Sequence, residues 1–139
     1  IKKLKEALKG GLTGLARTAD CGSMCYSKLS IAEKEIERLY DCLLDYRLVR
    51  YLDISTNAIS NIQLVAELPE LLSLNASKNQ IAGLEVFQNS GVLKNLQFLN
   101  LSGNKIAKFT QVALPALRRL NLNENEIATI EGWNGHDTI

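Results

Sequence analysis

The residues with which this chain could do covalent or metal chemistry are few: three cysteines, one histidine and scattered serines and glycines. Cys21 and Cys25 stand four apart, Cys42 follows at no regular spacing, and His136 lies near the other end. A structural zinc site takes four ligands in a tight pattern, so this set predicts no metal site. An odd number of cysteines at irregular spacing reads as free thiols in a reducing compartment. No serine or cysteine has a paired base in the pattern that nucleophilic catalysis requires. "LSGNKI" at 101–106 has a phosphate-loop flavour, but the G-x-x-x-x-G-K-[ST] spacing is missing and the stretch falls inside a recurring turn. The chain is therefore expected not to be an enzyme and to need no cofactor. What remains is recognition. Tyr51, Phe98 and Arg119 belong to the residue types enriched at binding hot spots, and Asp53, Asn75, Asn100 and Asn121 offer hydrogen bonds two residues further along the same short segments.

What positions them is a cadence. "LVRYLDISTNAI" at 48–59, "LLSLNASKNQI" at 71–81, "LQFLNLSGNKI" at 96–106 and "LRRLNLNENEI" at 117–127 repeat one pattern, with Leu52, Leu74, Leu99 and Leu120 at steps of 22, 25 and 21 residues. A degenerate first copy precedes them: Leu29, Ile31, Lys34, Ile36 and Leu39. L-x-x-L-x-L-x-x-N-x-L at a period of 20–29 is the leucine-rich repeat signature. The fold expected is an α/β solenoid of about five repeats, its short parallel strands near 29–31, 51–54, 73–76, 98–101 and 119–122 forming the concave face.

Each position has a physical reason. Leu-x-Leu is a strand with one buried face, because side chains alternate at period two. The chain then turns at Asn, whose carboxamide can donate and accept at once, whereas an unmet buried polar group costs about 1–3 kcal/mol. Asn57, Asn79, Asn104 and Asn125 are thus expected to form a ladder. A second apolar pair, such as Ile59 and Ile62, closes the far wall, and neighbouring coils stack because none can bury its apolar face alone. Ala76 replaces a core leucine, and Lys34 replaces the first Asn. The step of 25 places an insertion at 85–95, expected as a helical turn ending near Asn89–Gly91, while Pro69 and Pro115 should end short helical or 3₁₀ crossings at 63–71 and 111–117.

The ends differ. Residues 1–25 form an expected N-terminal helical cap, with Ile1, Leu4 and Leu8 on one face, a break at Gly10–Gly11, and Leu12 and Leu15 continuing the apolar stripe. Residues 26–139 form the repeat domain. The last coil closes at Ile130 without a polar capping repeat, which predicts a longer natural chain or a covering partner, with Trp133 as an edge contact. A net charge of +1 gives no bulk drive toward nucleic acid or membranes, and no apolar run approaches the roughly 20 residues of a membrane span. Partners should be proteins, and an open polar face is a poor enclosure for a small-molecule substrate.

The run "KLSIAEKEIERLYDCLLDYRLVRYLDISTNAI" at 28–59, with "LLSLNASKNQI" after it, resembles the leucine-rich repeat-containing protein 23 family of radial-spoke components in motile cilia. The shared features are an N-terminal helix, a glycine-containing linker, a charged first repeat, "LRYLDIS"-like residues, and a small residue at the place of Ala76. The resemblance implies an axonemal scaffold at the head of the third radial spoke, in the cytoplasm of a cilium or flagellum, held by other spoke proteins. Two other classes carry repeats of the same kind, namely regulatory leucine-rich repeat subunits of a protein phosphatase and dynein-associated axonemal light chains.

Overall fold

The computed structural model describes residues 1–17, 24–89, 91–132 and 135. In chain order its regular elements are helix α1 (Lys2–Gly10) and strands β1 (Leu12–Arg17), β2 (Met24–Ser30), β3 (Tyr51–Asp53), β4 (Ser73–Asn75), β5 (Phe98–Asn100), β6 (Lys108–Phe109), β7 (Arg119–Asn121) and β8 (Thr129–Ile130). Strands β1-β2-β3-β4-β5-β7 form one six-stranded sheet, and β6 pairs with β8 in a second. From β2 to β7 every pairing is parallel, and Leu29, Leu52, Leu74, Leu99 and Leu120 occupy one register row. The repeat register read from the leucines is the register of the sheet.

Each coil runs from strand through the Asn turn to the far wall, and there the crossings carry 3₁₀ turns at Asp41–Tyr46, Gln63–Glu67 and Glu85–Phe87. Leu52, Ile54, Ile59 and Ile62 are buried in one coil, Leu74, Ala76, Ile81 and Leu84 in the next, and Leu99, Leu101, Ile106 and Phe109 in the third, forming one continuous core. In the last coil Leu120, Leu122 and Ile127 are half-buried and Ile130 is exposed.

Three expectations need correction. The crossing at 111–117 has no 3₁₀ turn; it closes the shortest repeat, which leaves too few residues to wind one. The inserted segment at 85–95 is helical only over Glu85–Phe87, after which the Asn89 Oδ1 accepts the Gly91 N–H at 2.9 Å and turns the chain. The leader does not carry its apolar stripe onward as a helix. Helix α1 buries Leu4 and Leu8, but Leu12–Arg17 is a strand antiparallel to β2, so β2 begins at Met24, earlier than expected, and the sheet runs through position 25. The cause sits at Gly11. Its carbonyl accepts the Ser30 N–H at 2.9 Å, and a Cβ at Gly11 would overlap the Ser30 carbonyl oxygen. Only glycine lets the chain come that close and pivot into the sheet.

Candidate protein-interaction face

The turn after each strand is built the same way in every coil. Glu33, Thr56, Lys78, Gly103 and Glu124 all have φ between +53° and +64°, the left-handed region, each one residue before the ladder position. Four of the five are not glycine, so the coil imposes this conformation against local preference. The turn points the next side chain inward. Asn79 Nδ2 donates to the carbonyls of Ile54, Ala76 and Ser77 at 2.9–3.2 Å, and its Oδ1 accepts the Ile59 N–H at 3.0 Å. Asn104 repeats this one coil on, toward Ala76, Leu101 and Ser102, accepting from Ile81. Asn125 does so toward Leu101, Leu122 and Asn123, accepting from Ile106. Asn57 holds Ile31, Ile54 and Ser55 and accepts two N–H groups, from Lys34 and Ile36. Each Asn satisfies its own turn and the one before it.

On the opposite side of the strands, the residues flanking the leucines face out. One row reads Lys28, Tyr51, Ser73, Phe98 and Arg119, the next Ser30, Asp53, Asn75, Asn100 and Asn121. In the first row the Lys28 ammonium lies 5.7 Å from the Tyr51 ring centre and the Arg119 guanidinium 5.9 Å from that of Phe98, within cation–π range. The two rings remain 44% and 42% exposed. The ion pairs among the described residues are Lys3–Glu35 at 2.6 Å and Lys108–Glu131 at 2.7 Å, so neither row cation is paired with a described carboxylate. The Lys3 hydrogen bond, then its charge, lowers the Glu35 pKa.

The second row is less free than its exposure suggests. The Oδ1 atoms of Asp53, Asn75, Asn100 and Asn121 accept the N–H groups of Ser55, Ser77, Ser102 and Asn123, two residues on, at 2.9–3.3 Å. These Asx turns lock the strand exits and leave the Nδ2 amides of the three asparagines as the outward donors.

The hairpin widens this face beyond what the repeat pattern alone predicts. Leu15 pairs with Tyr26, and both stand out with Met24, at 61%, 46% and 58% exposure. Cross-strand partners share a face, and Tyr26 and Met24 share parity with Lys28, so an apolar extension continues from Lys28 along β2. The alternation Met24-x-Tyr26-x-Lys28-x-Ser30 was the available signal. Trp133, Cys21 and His136 lie outside the described residues. Cys25 and Cys42 are free and half-buried. Among the described residues no cluster of His, Cys, Asp and Glu is placed to hold a metal ion, and no helix is long and apolar enough to cross a membrane.

Residues 94–135 match the family model for leucine-rich repeats, two copies. The chain is 29% identical over 135 residues to human leucine-rich repeat-containing protein 23, covering 97% of this chain and 38% of that protein. It is 38% identical over 75 residues to an adenylate cyclase of Podospora anserina, but this covers 53% of the chain and only 3% of that protein. A solved leucine-rich repeat protein of Leptospira interrogans superposes with a TM-score of 0.58 at 30% identity, covering 69% of this chain and 25% of that one. The chain thus spans well under half the length of the human relative, and the repeat recurs beside unrelated activities, so function must be argued from the face and not from the fold.

Proposed function

We propose that this chain, a leucine-rich repeat solenoid similar over most of its length to leucine-rich repeat-containing protein 23, is a non-enzymatic protein-interaction scaffold of the ciliary or flagellar axoneme, acting at the head of the third radial spoke. The observation that carries the interaction half is the row Lys28–Tyr51–Ser73–Phe98–Arg119: two half-exposed rings, each beside a cation. Rings held at fixed depth by a sheet lose little conformational freedom when a partner covers them, and aromatic side chains and Arg are enriched at the cores of interfaces. The Leu15–Tyr26–Met24 patch adjoins the row and enlarges the apolar area a protein partner would bury. The axonemal half is supported by the similarity to human leucine-rich repeat-containing protein 23 and by what the resemblance of residues 28–59 to that family implies.

The experiment is the double substitution Tyr51→Ala with Phe98→Ala, expressed in a ciliated cell in place of the natural protein. Removing one buried aromatic anchor costs on the order of 2 kcal/mol, roughly thirtyfold in affinity, so the double variant should lose its spoke partners on pull-down and fail to support spoke assembly. Normal assembly with unchanged partner recovery would refute the face as the docking surface. Recovery only from nuclei, bound to a phosphatase, would refute the axonemal assignment.

A further inference from the structure

We propose that the row Lys28–Tyr51–Ser73–Phe98–Arg119 is a notch for one kind of ligand: an extended acidic protein segment that lays a single apolar side chain over Ser73 and a carboxylate three residues to either side of it. This names the partner chemistry of the concave face and rests on the reading of that face as a docking surface.

The geometry is near-symmetric about Ser73. Tyr51 on β3 and Phe98 on β5 flank it in register, so the two ring-bearing positions are two strand spacings apart, about 9.6 Å. A side chain sandwiched between two rings needs van der Waals contact on both sides, about 7–8 Å in all. The gap therefore accepts one apolar group, and serine is the one small residue of the row, so the floor is open. The cations stand on the outer sides. Lys28 is beyond Tyr51 on β2 and Arg119 beyond Phe98 on β7, so both cation-bearing strands lie outside the pair of rings that flank Ser73.

The charges set the ligand's spacing. From the strand of Ser73 to that of Lys28 or of Arg119 is again two strand spacings, about 9.6 Å, and an extended chain advances about 3.3 Å per residue, so an acid three positions from the apolar residue lies over each cation-bearing strand. A segment crossing the strands also passes the neighbouring row, where Asn75 and Asn100 present Nδ2 donors that its carbonyls can accept. Among the described residues no carboxylate is ion-paired to Lys28 or Arg119, so an incoming acid displaces no ion pair there. Nucleic acid fits less well, because Lys28 and Arg119 stand on strands four spacings apart and leave the phosphates between them unmatched.

The test uses the 139-residue chain and a labelled peptide of about eleven residues with phenylalanine at its centre, glutamate three positions to either side and serine elsewhere, titrated by fluorescence anisotropy. The expected result is at least tenfold tighter binding than to the same peptide with both glutamates replaced by lysine. Ser73→Tyr, which fills the notch at a position where other coils already carry large side chains, should weaken binding tenfold or more. Lys28→Glu with Arg119→Glu should reverse the preference toward the lysine peptide, a reversal that a misfolded chain cannot give. Equal affinity for both peptides, indifference to Ser73→Tyr, or no binding at about 1 mM would overturn the proposal. So would displacement of the peptide by oligothymidylate, or self-association abolished by Tyr51→Ala, each of which assigns the notch to another occupant. Failure here while Tyr51→Ala with Phe98→Ala still strips spoke partners in the cell removes the acidic-segment ligand and leaves the scaffold. Success here with normal spoke assembly in that double variant does the opposite.

Discussion

Replacing Asn104 by leucine isolates what the Asn ladder contributes, because nearly every other group it touches keeps a second partner. Asn104 Nδ2 donates to the carbonyls of Ala76, Leu101 and Ser102. After the substitution the Ala76 carbonyl still accepts from Asn79, the Leu101 carbonyl from Asn125, and the Ser102 carbonyl from the Lys78 N–H. The Ile81 N–H is different. Its acceptor is Asn104 Oδ1 at 3.0 Å, and Ile81 is buried at 2% exposure. The cost therefore concentrates on one orphaned buried donor, about 1–3 kcal/mol, with a further contribution where the bulkier leucine crowds a close-packed turn. With a urea slope of about 2 kcal/mol/M, the unfolding midpoint should fall by roughly 0.5–1.5 M at unchanged slope. Asn79→Leu should match it, since it orphans the Ile59 N–H in the same manner, whereas half-buried Asn125 lets water relieve part of the loss at Ile106. Chemical denaturation followed by circular dichroism measures all three. An unchanged midpoint for Asn104→Leu would refute the ladder as a source of stability, and a loss at Asn125 as large as at Asn104 would refute the burial argument.

Two further perturbations probe the backbone. Thr56 holds φ at 53°, where a β-branched residue is strained by about 1–2 kcal/mol and glycine is not, against an entropic cost of about 0.5–1 kcal/mol for glycine in the unfolded chain; Thr56→Gly should therefore raise stability by roughly 0.5–1 kcal/mol, seen as a higher thermal midpoint. Gly11→Ala should break the pivot between α1 and β1, because the new Cβ meets the Ser30 backbone. Hydrogen exchange should then show lost protection at the Ser30 amide, which donates to Gly11, and at the amides of α1, while the amides of β4 and β5 stay protected.

The repeat was legible because two periods had to agree: alternation within each strand and a recurrence near 22 residues between strands. Fixing Leu52, Leu74, Leu99 and Leu120 fixed the outward rows by arithmetic, and the register of Tyr51, Ser73, Phe98 and Arg119 is the one observed. The hairpin was not legible, since Leu8, Leu12 and Leu15 have helical spacing and the choice is made at Gly11 by contact with a distant carbonyl. The left-handed turn position announces itself only as Gly103; elsewhere Glu33, Thr56, Lys78 and Glu124 conceal it. The Asx turns were written as Asp53-x-Ser55, Asn75-x-Ser77 and Asn100-x-Ser102, but an outward polar residue reads as a partner contact until its own backbone is seen to claim it.

That contrast locates function within the repeat. Each coil after the first leaves the same buried groups to satisfy, so the leucine and asparagine columns recur from Leu52 and Asn57 onward, and the Asx column with them. The row Lys28, Tyr51, Ser73, Phe98, Arg119 faces water, where packing leaves side-chain identity almost free, and no two of its residues are alike. Chance variation on a solvated surface would favour small or charged side chains standing separately. Here two rings are instead left half-exposed at matched depth, each beside a cation from the next strand out, about the smallest member of the row. Stability of the solenoid does not require that order, because exchanging Ser73 with Phe98 would leave the leucine register and both hydrogen-bonded columns intact. The order matters only to something that approaches from outside. It follows that moving a ring along the row, as in Ser73→Phe with Phe98→Ser, should shift the unfolding free energy by no more than about 1 kcal/mol, the scale of the exposed Arg119–Phe98 contact it removes, and yet destroy recognition.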